Sequence, residues 1–240
     1  MAYLVRYQLG DFLLLRAGLP TLIVTMLGFM MWKGAGTVDW ASPDGIRFSQ
    51  QVFRLLGGMF IALGGFLGVA RLISDDRSNG YYRLLLSKPV SLERFYIQQW
   101  LLHGIGLVVI AGLLAAWLQG ATGTLPVREA MTVMGLMWLL IGGIGFALSA
   151  MTNADALLLV VLYVMSAVLH GLKDAPNSPM WPWLKQLTRI FPPVQKLDFI
   201  RDQLYAGAGM PWAHIAHVAC YGALAFALGV IVLRRTSFAR

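Results

Sequence analysis

Charged residues are scarce in this chain. Lys, Arg, Asp and Glu together make up 12% of its 240 residues, about half of the roughly 25% that is usual in soluble domains. Hydrophobic residues make up 58%, and the mean hydropathy is +0.67. Because so few charges cannot cover the surface of a soluble fold of this size, the composition excludes that class, and disorder with it. It predicts an integral membrane protein.

Cysteine is nearly absent too. The single Cys220 excludes an internal disulfide and any zinc site built on cysteines. The first apolar run carries Arg16 and lacks a small-residue cleavage site, so it is not a cleavable signal peptide. The net charge is +8. Since the charges lie in loops between apolar runs, we expect membrane lipids, and not nucleic acid, as their partners.

Several catalytic motifs are missing. No Gly-Lys dipeptide occurs, which excludes a P-loop for ATP. No serine has glycine two positions before it, and no histidine is followed by glutamate, so the nucleophile elbow and the metalloprotease helix are also absent. We therefore expect no enzyme, no catalytic residue, no metal site and no cofactor in this chain.

Six apolar stretches have about the length needed to cross a bilayer core of roughly 30 Å. The alternation typical of a membrane barrel is absent, so the prediction is an all-α polytopic membrane protein with six transmembrane helices and short interfacial helices. The predicted spans are 12–32, 55–70, 95–118, 130–151, 156–172 and 212–233.

The connections between these spans differ in length. Longer ones lie at 33–54, 71–94 and 173–211, whereas only 152–155 separate the fourth and fifth spans, which predicts a tight hairpin. We interpret 1–240 as one transmembrane domain with both termini on the same side. Ten basic residues on that side and nine on the other leave the orientation undecided by charge.

Two histidines fall within predicted spans. His103 lies in the third span and His170 near the end of the fifth. A polar side chain in lipid usually faces the interior of the helix bundle, so each can line a pathway or form an interhelical hydrogen bond. His214 and His217 share a face of the sixth span, where two ligands alone do not define a metal site. An intramembrane enzyme using these histidines is one alternative function, and a non-transporting membrane scaffold is another.

The connection 71–94 is the most informative segment. It reads RLISDDRSNGYYRLLLSKPVSLER, with charges at 75–77, a turn signal at 78–80 and a half-apolar run at 81–86. Ser91 is suited to cap the helix that follows. The pattern predicts a short helix held parallel to the membrane, with a solvated loop on the lipid headgroups as the alternative.

This segment resembles the first cytoplasmic loop of type-2 ABC-transporter permeases, in its D-R-x-x-G run followed by L-L-S-x-P-V-S and a helix start. The six spans and the hairpin extend the resemblance over essentially the whole chain. It implies a permease subunit of an exporter in a bacterial-type plasma (inner) membrane, with both termini and this loop cytoplasmic. The implied partners are a separate ATPase subunit, which holds ATP and Mg, and a second permease, either another copy of this chain in a homodimer or a close paralogue.

In that family the loop contains a coupling helix that docks in a groove of the ATPase. The residues that match this role by position are Asp75, Asp76, Arg77, Gly80, Arg83, Leu84, Leu85 and Glu93. The chain departs from the family after the glycine, where the family often has small residues and then an acidic one. The segment 1–16 corresponds to the family's interfacial helix by analogy alone.

The segment 173–211 is external under this resemblance. Its six prolines leave room for two short helices, 183–191 and 194–205. In the second, Leu197, Ile200 and Leu204 share one face. They resemble the re-entrant helices that cap the family's translocation path, and with His103 and His170 they are candidates for a pathway or external gate. A plain interfacial loop is the alternative.

Overall fold

A computed structural model describes residues 42–68, 72–78, 91–123, 127–174 and 188–237, with scattered single residues or short runs between 18 and 40 and at 183 and 186. The described part of the chain is all-helical, as predicted, and contains no strand. Its helices are α1 (Pro43–Gly68), α2 (Ser74–Ser78), α3 (Leu92–Thr122), α4 (Val127–Met151), α5 (Asp155–Asp174), α6 (Val194–Tyr205) and α7 (Trp212–Ser237).

Four of these helices, α3, α4, α5 and α7, are long and apolar enough to cross a membrane. They match the predicted third to sixth spans, and each begins within three residues of the predicted start. A multi-pass membrane architecture is therefore compatible with the structure. Six spans are not confirmed: the first predicted span lies largely outside the described residues, and the second falls in α1.

Helix α1 is longer than the span predicted within it. The prediction placed residues 33–54 in a connection, whereas α1 begins at Pro43. The Ser42 hydroxyl accepts a hydrogen bond from the Gly45 backbone N–H at 3.1 Å, which satisfies one of the unpaired amides of a helix start. Arg47 and Arg54 interrupt the apolar pattern of this first part, and hydropathy alone therefore did not reveal the helix.

Helix α4 is the central element. In an apolar stretch of 18 residues within α4, 67% of the residues are buried, against 17–39% in the corresponding stretches of the other three long helices. It packs most tightly on α7, where a methyl group built on Gly222 would lie 2.5 Å from the Leu139 carbonyl oxygen. Trp100, Phe146 and Phe226 stack beside this contact, with ring centroids 4.2 and 4.7 Å apart. Backbone contact at glycine thus fixes the two helices against each other.

The two ends of the bundle differ. We call the end where residues 152–154 join α4 to α5 the hairpin end; this short connection agrees with the prediction. Segment 72–78 lies there, since it contacts Ser149 and Asp155 on either side of the connection. The start of α3 and the end of α7 lie there too, joined by the Arg234–Glu93 ion pair at 2.7 Å. Helix α6 lies at the opposite end. The described parts of the connection 71–94 and of the segment 173–211 therefore lie at opposite ends of the bundle.

Candidate functional site

The segment 72–78 at the hairpin end is anchored through its backbone to the end of α4. Leu72 and Ile73 are 2% and 3% exposed. The backbone N–H groups of Ile73 and Ser74 both donate to the Ser149 hydroxyl oxygen, at 3.0 and 3.2 Å. Ser149 is itself fully buried. One side chain therefore satisfies two buried amides at the start of α2, which would otherwise carry a free-energy cost.

A second contact joins α2 to the start of α5. The Ser74 hydroxyl donates to Asp155 Oδ2 at 3.2 Å, and both residues are buried. Asp155 occupies the first turn of α5, where the partial positive charge of the helix N-terminus stabilises a carboxylate. The arrangement ties α2 to the hairpin from both of its helices.

Two charged side chains of α2 also point toward neighbouring helices. Arg77 Nη2 donates to the Ala150 carbonyl oxygen at 2.6 Å. That carbonyl belongs to the last turn of α4, where carbonyls lack helical partners and a positive charge is favoured. Asp76 Oδ2 accepts a hydrogen bond from the Tyr96 hydroxyl of α3 at 3.0 Å. Segment 72–78 is thus bonded to α3, α4 and α5.

Helix α3 starts where the sequence predicted. Ser91 is its N-cap residue with extended backbone angles, but its side chain makes no capping hydrogen bond. Glu93 in the first turn accepts a hydrogen bond from Arg234 Nε. This contact between residues 141 positions apart connects the start of α3 to the end of α7.

The structure brings together only part of the predicted docking set. Gly80, Arg83, Leu84 and Leu85 lie outside the described residues, as does the side chain of Asp75. The side chains of Asp76, Arg77 and Glu93 each contact another helix of the same chain. In these described contacts Asp76 and Arg77 hold segment 72–78 in place, and Glu93 joins α3 to α7.

Sequence reasoning missed Ser74, Ser149 and Asp155. Polar residues at buried positions of otherwise apolar helices usually mark specific contacts. The run FALSAMTNADA contains that signal, since Ser149 and Asp155 flank the predicted hairpin. It did not reveal a partner more than 70 residues away.

The predicted gate residues are packed inside the chain. Leu197, Ile200 and Leu204 of α6 are at most 6% exposed and share a cluster with apolar residues of α4, α5 and α7. The bounds of α6 are those predicted, whereas the predicted helix 183–191 is wrong at its end, because Thr188–Ile190 form a turn.

The structure describes the burial and contacts of three of the predicted histidines. His103 is wholly buried. His170 Nδ1 donates to the Ser166 carbonyl oxygen at 2.8 Å, and the Ser166 hydroxyl donates to the Pro192 carbonyl at 2.6 Å. His214 stacks on Phe199, with ring centroids 4.5 Å apart. Within the described ranges, no three His, Cys, Asp or Glu side chains come together in a metal-binding arrangement.

No protein-family model matches the chain, and no curated protein is significantly similar to it.

Proposed function

We propose that this chain is the permease subunit of an ATP-binding-cassette exporter. It works with a separate ATPase subunit that carries ATP and Mg, and with a second copy of the permease. The proposal places it in a bacterial-type inner membrane with both termini and the connection 71–94 in the cytoplasm. Two observations support it: the loop resembles that of type-2 permeases, and four described helices are apolar enough to cross a membrane.

The observation that carries the proposal is the attachment of segment 72–78 to three long helices. Its contacts to Ser149, Ala150 and Asp155 attach it to both helices of the α4–α5 hairpin. Its residue Asp76 contacts α3. A partner that pulls on the connection 71–94 therefore acts on α3, α4 and α5 together. Because those helices form much of the bundle, a small displacement at the loop can change the packing of the whole subunit.

ATP binding to the partner would then shift the permease between an inward and an outward state. Such a shift requires that the partner bind the two states with different affinity. The residues of the connection beyond Ser78 provide the docking surface in this proposal, and the described residues 72–78 provide its attachment. Docking and attachment are therefore separable by mutation.

The test is purification of the tagged chain from its native membrane in mild detergent, with identification of the proteins that accompany it. We expect a stoichiometric ABC ATPase. Arg83→Glu and Leu84→Glu should each remove it, since they reverse a charge or place one on the apolar docking face. Arg189→Glu is the matched control: it also reverses a positive charge, at an exposed residue of the segment 173–211, and should retain the ATPase.

Two results would contradict the proposal. One is a chain that purifies without any ATPase from membranes in which it is abundant. The other is an ATPase that remains bound equally to Arg83→Glu, Leu84→Glu and the control.

A further inference from the structure

A polar cleft of about 300 Å³ lies between α1 and α6 at the opposite end of the bundle. It is far from segment 72–78 and shares no residue with it. The cleft is lined chiefly by Arg47, Gln50, Gln51, Arg54, Arg201 and Tyr205. Three arginines in one cleft are unusual in a chain with so few charges, and their arrangement needs an explanation.

One wall is a single face of α1. Arg47, Gln51 and Arg54 are spaced four and three residues apart, so they follow one another along the same side of the helix. Arg47 is exposed, and among the described residues it has no ion-pair partner. The Arg54 side chain is 55% exposed and lies 3.4 Å from a single oxygen of Asp198. Both guanidinium groups therefore retain donors that face the cleft.

On the other wall, one arginine of α6 pairs with two carboxylates of the same helix. The Arg201 side chain is only 9% exposed and binds Asp198 and Asp202 at 2.6 and 2.7 Å. Its Nε also donates to Asp202, so this arginine fixes the two carboxylates of α6. Asp202, the carboxylate among the described residues that line the cleft, is thereby paired. Burial raises the pKa of the Tyr205 phenol, which keeps its hydroxyl protonated.

The chemistry of the cleft is thus that of an anion site. Its lining residues carry three positive charges and one negative charge. With Asp198, which contacts Arg54 and Arg201, the net charge is +1 (3 − 2), and the amides of Gln50 and Gln51 add uncharged donors. A carboxylate has two oxygens and is satisfied by one guanidinium. Two arginines with flanking amide donors suit an anion with more oxygens, for which arginine is the preferred residue.

We propose that the cleft between α1 and α6 binds a phosphate group, carried by an anionic lipid or free in solution. The cleft lies beside α6 at the end where α4 and α7 begin, which is the level at which lipid headgroups meet apolar spans. This inference does not rest on the proposed transport function.

The test uses the full chain, purified and placed in nanodiscs of phosphatidylcholine with increasing phosphatidylglycerol. Bound lipid is counted by native mass spectrometry, and binding of inorganic phosphate is measured by calorimetry in detergent. The test variant is Arg47→Gln/Arg54→Gln. The control Arg128→Gln/Arg189→Gln removes the same charge from residues outside the cleft lining.

We expect the test variant to weaken binding at least about tenfold, because each charge-assisted hydrogen bond to phosphate is lost, while the control binds like the natural chain. Loss of retained phosphatidylglycerol identifies a lipid as the source. Loss of inorganic phosphate binding with unchanged lipid identifies a soluble phosphate. Arg47→Gln alone serves if the double variant fails to fold, since Arg47 is exposed; it should still weaken binding several-fold.

Equal binding by the test and control variants overturns the proposal. So does a natural chain that binds neither phosphatidylglycerol in preference to phosphatidylcholine nor inorganic phosphate.

Discussion

Replacing Ser149 with alanine should release segment 72–78 without unfolding the bundle. The substitution removes the only described acceptor of the Ile73 and Ser74 backbone N–H groups. Each buried donor that loses its partner costs about 1–3 kcal/mol. Because Asp76 and Arg77 are only half-buried, water can reach part of the vacated site. We therefore expect a local destabilisation of about 2–4 kcal/mol, at the lower part of the summed range.

Hydrogen exchange followed by mass spectrometry measures this local opening directly. Since about 1.4 kcal/mol corresponds to a tenfold change in an equilibrium, the amides of Ile73 and Ser74 should exchange about 30 to 700 times faster in Ser149→Ala. Helix α4 should keep its protection, because alanine is a better helix former than serine.

Ser166→Ala is the matched control for this experiment. Ser166 is also fully buried in a long helix, and its hydroxyl also bonds to a distant backbone group, the Pro192 carbonyl. It lies nearer the opposite end, so its removal should loosen the chain before α6 and leave residues 72–78 as protected as before. The reasoning would be refuted by a folded Ser149→Ala protein whose segment 72–78 exchanges at the natural rate.

Three further substitutions test the packing and the hairpin end. Gly222→Ala should lower stability by about 1–3 kcal/mol through overpacking of α7 on α4, measured by thermal unfolding in detergent. The control Gly171→Ala should not lower stability, because the added methyl group meets nothing within 4 Å. Equal melting temperatures of the two variants would contradict the close contact. Tyr96→Phe removes the hydroxyl that contacts α2 and should speed exchange in 74–78 but not in α7. Glu93→Gln breaks the ion pair with Arg234, whose side chain is 61% exposed. The loss of unfolding free energy should stay below about 1 kcal/mol and vanish in high salt. A larger loss that does not depend on salt would show that the pair is not screened by solvent.

The sequence predicted the apolar helices well because one physical quantity determines them. Continuous apolar runs of about 20 residues have few alternatives in a bilayer. The starts of α3, α4, α5 and α7 were therefore found within three residues. Helix α6 was also found with its bounds, since Pro193 and the apolar spacing after it mark a helix start.

The parts that were missed depend on contacts between distant residues. The first turns of α1 carry Arg47 and Arg54, and these charges are accommodated by the cleft and by Asp198, which no local pattern shows. Arg77 was assigned to a partner surface by resemblance, yet its described contact is the Ala150 carbonyl, 73 residues away. A charged loop residue has the same sequence signature whether it faces a partner or caps a neighbouring helix.

The glycine contact at the centre of the bundle has a consequence for the proposed mechanism. Methyl groups built on Gly143 and Gly222 would each collide with the backbone of the facing helix, so α4 and α7 cannot slide or rotate against each other without losing close packing. Displacement of segment 72–78 would then be passed by Ser149 to α4 and α7 as one body. Helix α5 packs on α4 less extensively than α7 does. In a two-state subunit the relative motion should therefore occur between α5 and the α4–α7 pair. In the proposed permease the connection 152–154 would act as the hinge for that motion, and the hydrogen bond between Ser74 and Asp155 beside it would have to change.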